Sequence, residues 1–307
     1  MVTRDDVLAA AARIEDWVRR TPVLETDDGT WFKLEYLQHG GSFKARGAFN
    51  RILAAQQAGE LDPAVGIVVA SGGNAGLGNA YAARAAGIPA TVVVPENTPA
   101  VKADKLRRYG AGVILRGTEY AHAAEGAVEH AAATGAVLCH AYDQPEIVAG
   151  AGTVGLELLD QTGGELDTVL VAVGGGGLMA GVAAALEGRA RVVAVEPETS
   201  RAVGAALEAG HPVDVAVSGI AIDSLGARRV GDIAFEVATR TGVVSRLVTD
   251  EAIAEARRRL WEEYRIAVEH GAAAAYAALT SGAYTPAPGE RVAVVLCGAN
   301  TNPADLA

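Results

Sequence analysis

The sequence predicts an α/β fold of two doubly wound, parallel-sheet domains, and three observations carry that expectation. Short β-branched runs alternate with longer alanine-rich stretches of helical period. The runs lack polar alternation, as strands covered on both faces do. Turns rich in glycine and other small residues follow several of the runs, at the strand ends where doubly wound sheets bind ligands.

The chain opens on MVTRDDVLAAAARIEDWVRR, an amphipathic segment without the apolar core of a signal peptide. The first βα series comprises 66–70 (GIVVA), 74–87, 90–95 (ATVVVP), 99–110, 111–117, 119–135 and 136–142 (AVLCHAY). A second series runs through 145–163, 168–174 (TVLVAVG), 176–188 and 191–197 (RVVAVEP). Helices over 250–267 and 271–281 and a closing strand over 291–298 complete it. The division this suggests is a large domain from 1–55 and 144–307 and a small one from 56–143, with a ligand cleft between them.

Composition narrows the function. The 307 residues carry a net charge of −11, which leaves no basic stripe for nucleic acid and no polybasic membrane patch. Arg257, Arg258 and Arg259 cluster among acids and read as a solvated helix face. The stretch Val169 to Leu186 is uncharged, yet its five glycines fit a buried strand, turn and helix better than a membrane span. The two cysteines, Cys139 and Cys297, lie in apolar runs and read as buried thiols in a reducing, cytoplasmic compartment.

Four motifs carry chemistry. Lys44 sits in Gly41-Ser42-Phe43-Lys44-Ala45-Arg46-Gly47, with small residues around it. Most lysines are solvated surface charges; one in open, partly desolvated surroundings can form a Schiff base. Ser71-Gly72-Gly73-Asn74-Ala75-Gly76 and Gly174-Gly175-Gly176-Gly177 each link a strand to a helix. Bare N–H groups at a helix N-terminus suit an anion, although a lone glycine run can equally be a flexible turn. The fourth motif, Cys297-Gly298-Ala299-Asn300, follows the last strand. Nucleotide templates fail: the tetraglycine run leads into Leu178-Met179, without the Lys-Ser/Thr of an NTPase loop or the last glycine of G-x-G-x-x-G.

Together and in this order, the four motifs resemble the fold-type II pyridoxal phosphate enzymes, in the serine/threonine dehydratase (ammonia-lyase) branch that includes serine racemase. The resemblance covers essentially the whole chain and implies the tryptophan synthase β-like fold, with pyridoxal 5'-phosphate in the cleft. It implies that Lys44 binds the cofactor covalently and moves the Cα proton. It further implies that Phe43 packs on the ring, Asn74 bonds the phenolic oxygen, Gly174, Gly175, Gly176 and Gly177 hold the phosphate, and Cys297 faces the pyridine nitrogen. Ser71, Gly72, Asn74 and Ala75 would receive the substrate carboxylate. A neutral thiol at the pyridine nitrogen makes a weaker electron sink than a carboxylate, which favours β-elimination over transamination.

The chain departs from that pattern at three places. Many relatives carry a second serine where Gly72 stands, so the acid/base facing Lys44 across Cα is missing and dehydration is favoured over racemisation. Relatives with a divalent-cation site pair an acid at the place of Glu196 with another at the place of Ala202, so no such site is expected. His270 follows Glu269 where relatives have proline; it reads as a solvent-exposed helix-start residue, and Glu269 as a ring-edge neighbour or a helix cap. The expected activity is dehydration of L-threonine or L-serine to a 2-oxo acid and ammonia by a homodimeric cytoplasmic enzyme. Hydroxy-amino-acid racemisation, 3-hydroxyaspartate dehydration and β-replacement are the alternatives on the same fold. A non-catalytic phosphate-ligand-binding protein is the rival from another class.

Overall fold

A computed structural model describes residues 1–306. Its elements follow the predicted alternation. The N-terminal third comprises α1 (Arg4–Ile14), β1 (Val23–Glu25), β2 (Trp31–Lys33), α2 (Lys44–Gln57), β3 (Ile67–Ala70), α3 (Asn74–Ala85), β4 (Ala90–Val94) and α4 (Ala100–Arg108). Then come β5 (Gly112–Leu115), α5 (Tyr120–Thr134), β6 (Val137–Cys139), α6 (Pro145–Gln161), β7 (Thr168–Ala172), α7 (Gly177–Leu186) and β8 (Arg191–Pro197). The chain continues through α8 (Ala202–Ala209), α9 (Ile222–Leu225), α10 (Asp232–Thr241), β9 (Val244–Val248), α11 (Asp250–Tyr264), α12 (His270–Thr280) and β10 (Val292–Val295).

Two sheets result. The four-stranded sheet has the order β5-β4-β3-β6, and the six-stranded sheet the order β1-β2-β10-β7-β8-β9. Every pairing is parallel except the hairpin of β1 with β2 at one edge. The fully buried strands, such as IVVA in β3 and TVLVA in β7, have helices on both faces and so need no polar alternation. Among the described residues no helix is long and apolar enough to cross a membrane, and the uncharged stretch resolves into β7, a glycine turn and α7.

Close backbone crossings bring the sheets' loops together. A Cβ on Gly78 of α3 would lie 2.9 Å from the Lys44 carbonyl carbon, so this glycine lets α3 rest on the start of α2. On the other side of α2, a Cβ on Gly150 would lie 2.6 Å from the Arg46 carbonyl oxygen, which seats α2 on α6. The Phe43 N–H donates to the Cys297 carbonyl at 3.1 Å, and Ser42 bridges Gly298. These contacts fix the lysine loop beside the end of β10.

Behind that loop lies a buried ionic cluster. Arg46, Lys33 and Glu35 have fully buried side chains, and Glu157 of α6 completes the group. Arg46 donates to both carboxylates, at 2.5 Å to Glu35 and 2.6 Å to Glu157. Lys33 and Glu35 thus belong to the core of the fold.

The arginine triplet needs correction too. Arg258 and Arg259 do pair with acids on the exposed face of α11. Arg257 is instead buried and donates to the Val268 carbonyl and to Asp305. Helix α11 ends at Tyr264, short of the expected 267, because Arg265 turns to φ 57 in the left-handed region.

Candidate active site

Every site residue expected from the sequence lines one cavity of about 670 Å³: Phe43 and Lys44, the Ser71–Ala75 loop, Gly174 to Gly177, and Cys297. They arrive on loops that leave the carboxyl ends of β3, β7 and β10, together with the turn into α2. A cavity of this size at the strand ends suits a cofactor plus a small substrate.

Lys44 is a half-buried amine that lines the cavity. Its Nζ donates to the Ala141 carbonyl at 2.6 Å and lies 4.9 Å from the centre of the Phe43 ring. Among the described residues, no carboxylate pairs with it directly. Burial lowers its pKa to about 8, against a smaller opposing pull from Cys297 and Glu269. The Cys297 thiol is buried and free, and burial pushes its pKa well above the ordinary thiol value, so it stays neutral.

The glycine loop is shaped by close approach. Gly176 holds φ 92, which disfavours any side chain. A Cβ on Gly175 would fall 2.5 Å from the Tyr142 ring, and one on Gly177 would fall 2.6 Å from the Tyr142 carbonyl oxygen. Among the described residues, none of the N–H groups of Gly174 to Gly177 meets an acceptor. Four unpaired donors at the start of α7 form a cradle for a phosphate dianion. The start of α3 is similar: no side chain caps it, and the N–H groups of Asn74 and Ala75 are likewise unpaired among the described residues.

Residues that the sequence left unassigned also belong here. Glu269, set aside as a ring-edge neighbour or cap, lines the cavity and is 8 % exposed. Its side chain makes no cap bond; Glu269 Oε1 instead accepts from Asn74 Nδ2 at 2.7 Å. Burial raises its pKa, and the hydrogen bonds from Asn74 and Asn300 only partly offset this. Asn300 of the last motif donates to Asn74 Oδ1 at 2.7 Å. His270 is half-buried rather than solvent-exposed and lines a smaller neighbouring cavity of about 130 Å³ with Lys105 and Asn300. A sequence signal for Glu269 existed: an acid between the apolar run IAV and an alanine-rich helix is poorly placed for solvent.

Glu196 is a buried helix cap. It accepts from the N–H groups of Val203 and Gly204 at 2.7 and 2.8 Å and from Ser245 Oγ at 2.6 Å. These donors engage both carboxylate oxygens at the start of α8.

Two sheets, parallel but for one edge hairpin, with a half-buried lysine, an uncapped helix start and a glycine turn at their strand ends define the tryptophan synthase β-like fold. The chain belongs to the family described as "Pyridoxal-phosphate dependent enzyme", whose model matches residues 14–298. Within it, the chain falls in the fold-type II threonine/serine dehydratase group related to serine racemase. It is 39 % identical to the phenylserine dehydratase of Ralstonia pickettii, over 96 % of this chain and 92 % of that protein. It is 34 % identical to the L-threonine ammonia-lyase of Thermotoga maritima, over 98 % of this chain and 76 % of that protein. The structure of maize serine racemase superposes with a TM-score of 0.91 at 32 % identity, covering 99 % of this chain and 95 % of that one.

Proposed function

We propose that the protein dehydrates L-threonine and L-serine, releasing a 2-oxo acid and ammonia. The observation that carries this reading is Lys44, a half-buried amine without a direct carboxylate partner among the described residues, in a cavity also lined by the N–H groups at the starts of α3 and α7. The residues fit pyridoxal phosphate. The unpaired N–H groups of Gly174 to Gly177 suit its phosphate, Phe43 its ring face, Asn74 its phenolic oxygen, and the neutral Cys297 thiol its pyridine nitrogen. When bound, the cofactor supplies the electron sink that allows a Cα–H bond to break.

The chain's own groups do the rest. The backbone N–H groups of Asn74 and Ala75 at the start of α3, with Ser71, anchor the substrate carboxylate and so fix Cα. The lysine amine, whose pKa near 8 leaves a useful neutral fraction at physiological pH, takes the Cα proton. Loss of the β-hydroxyl as water leaves an unsaturated amine, and its hydrolysis gives the 2-oxo acid and ammonia. Gly72 offers no hydroxyl to return a proton to the other face of Cα, which favours elimination over racemisation.

The division into a large unit (1–55 and 144–307) and a small one (56–143) belongs to the same proposal. The six-stranded sheet would hold the cofactor and the four-stranded sheet would cover the substrate. A cytoplasmic homodimer completes the reading, in keeping with two buried free thiols.

The decisive experiment is an absorbance spectrum of the purified protein with pyridoxal phosphate, with 2-oxo acid release followed on adding L-threonine or L-serine. A visible band that Lys44→Ala abolishes, together with 2-oxo acid release, supports the dehydratase. A protein that takes up no cofactor overturns the reading and leaves the non-catalytic binder. A coloured protein that interconverts serine enantiomers without releasing 2-oxo acid would be a racemase.

A second reading concerns the side chain accepted. Tyr120 and Ile222 line the cavity while remaining partly exposed, at 49 % and 44 %. These two side chains, set beside Asp223, Arg228 and Arg229, give a bulky apolar β-substituent a surface to rest on, in keeping with the Ralstonia relative's phenylserine substrate. A kcat/KM for phenylserine above that for threonine would favour it.

A further inference from the structure

We propose that Glu269 and Asn300 are positioning residues that lock the Asn74 amide in one orientation, so that it offers the cofactor an N–H rather than a carbonyl. The inference deepens the role assigned to Asn74 above and rests on it.

The orientation follows from hydrogen-bonding capacity, link by link. The Lys105 ammonium can only donate, and it donates to Asn300 Oδ1 at 2.6 Å. The Gly40 carbonyl can only accept, and Asn300 Nδ2 donates to it at 2.8 Å. These two partners leave the Asn300 amide one way round. Its second N–H then points to Asn74 Oδ1, at 2.7 Å. Asn74 must therefore turn its Nδ2 the other way, and one N–H of that group goes to Glu269 Oε1 at 2.7 Å. Asn74 Nδ2 keeps one N–H, on a residue that lines the main cavity, while the second lone pair of Oδ1 stays on the atom that faces Asn300.

The surroundings are built for this arrangement. A Cβ on Gly298 would lie 2.6 Å from Glu269 Oε1 and 3.3 Å from Asn74 Nδ2, so the glycine of the last motif leaves room for the Glu269–Asn74 bond. The Glu269 N–H donates to the Gly298 carbonyl at 3.1 Å, which pins the acid's backbone to the end of β10. Glu269 accepts from Asn74 whether charged or neutral, and its burial favours the neutral form, which would not repel an anionic phenolic oxygen nearby. The clamp also spans the molecule. Asn74 and Lys105 come from helices packed on the four-stranded sheet, while Glu269 and Asn300 come from the segments flanking α12 and β10.

The test is a titration of the apo-protein with pyridoxal phosphate, reading Kd and the visible absorbance maximum for Asn74→Ala, Glu269→Ala, Glu269→Gln, Asn300→Ala and the Asn74→Ala/Glu269→Ala pair. Thermal unfolding of each apo-variant controls for the fold. Asn74→Ala is expected to weaken binding about tenfold and shift the band, with Glu269→Ala and Asn300→Ala each doing nearly the same. Glu269→Gln, which keeps a neutral acceptor, is expected to stay within about twofold of the parent. The double variant is expected to be no weaker than Asn74→Ala alone, because the clamp acts only through that amide.

Parent-like binding by Glu269→Ala and Asn300→Ala, or losses that add to that of Asn74→Ala, overturns the clamp. If Glu269→Ala does not fold, the Asn300→Ala result decides. An inert Asn74→Ala removes the assigned role of Asn74 and the clamp with it. A lysine-dependent band and 2-oxo acid release would still leave the dehydratase reading in place.

Discussion

Lys33 is a buried lysine and Lys44 a half-buried one, and they stand in opposite chemical conditions. Lys33 Nζ meets three acceptors, the Thr21 carbonyl at 2.8 Å, Glu157 at 2.7 Å and Gln161 at 2.8 Å, one for each of its N–H groups. Lys44 Nζ meets a single carbonyl and no carboxylate. Burial lowers the pKa of both, but Glu157 opposes the shift at Lys33 directly, whereas the counter-pull on Lys44 is indirect. A buried ammonium with a full set of partners is part of the framework. One left short of partners gives up its proton readily, which makes it a nucleophile and a base.

Exchanging each lysine for alanine gives the largest separation between them. Lys44→Ala is expected to lower 2-oxo acid release by at least about a thousandfold while leaving the urea midpoint of the apo-protein unchanged or higher. Lys33→Ala leaves the Arg46–Glu35–Glu157 cluster out of balance and is expected to cost about 3–5 kcal/mol in urea unfolding. Its activity per folded molecule should match the parent. Loss of activity without loss of stability in Lys33→Ala would break the distinction.

A smaller effect separates the two by pH. The folded pKa of Lys44, about 8, lies below its ordinary value of 10.5. Between those values the unfolded chain binds more protons than the native one, so the contribution of Lys44 to apo-protein stability rises with pH across that window. Below about pH 8 both states are protonated, and this contribution is at its most unfavourable. Competitive acetic anhydride labelling of the apo-protein, read by peptide mass spectrometry, should show Lys44 becoming reactive with a midpoint near pH 8. Lys33, enclosed by its three acceptors, should remain unlabelled.

The contrast between the lysines was only partly legible in the sequence, because sequence reports neighbours in the chain and the contrast depends on neighbours in space. The glycine-flanked turn marked Lys44, and the β-branched runs gave β3 to β8 and β10 near their observed bounds. The chain around Lys33 does not show what holds it, because Glu157 lies 124 residues away. The hairpin of β1 and β2 escaped notice since VLE and WFK are three-residue strands of mixed polarity. Edge strand β9, VSRLV, hid for a similar reason, with Ser245 and Arg246 interrupting its apolar run. The Asn74 clamp shows the same limit: its partners Glu269 and Asn300 lie 195 and 226 residues away. Motif reading found the residues on the glycine turns and missed those that orient them.

The finest test asks whether Lys44 works alone. If it is the single proton-carrying side chain beside Cα, a second one installed across the substrate should change the outcome of the reaction more than its rate. Position 72 accepts such a group: Gly72 is absent from the positive-φ glycines, and a Cβ there would meet nothing nearer than Thr98 Cγ2 at 3.5 Å. Gly72→Ser should therefore fold with a stability change within about 0.5 kcal/mol. Its hydroxyl would stand in the loop proposed to hold the substrate carboxylate, where it would return a proton to Cα on the face away from Lys44. Serine racemisation, measured by chiral chromatography, is expected to rise at least about tenfold, with 2-oxo acid release changing less than about threefold. A folded Gly72→Ser protein without added racemisation would mean that another group already serves the second face, and that Lys44 is not the sole base at Cα.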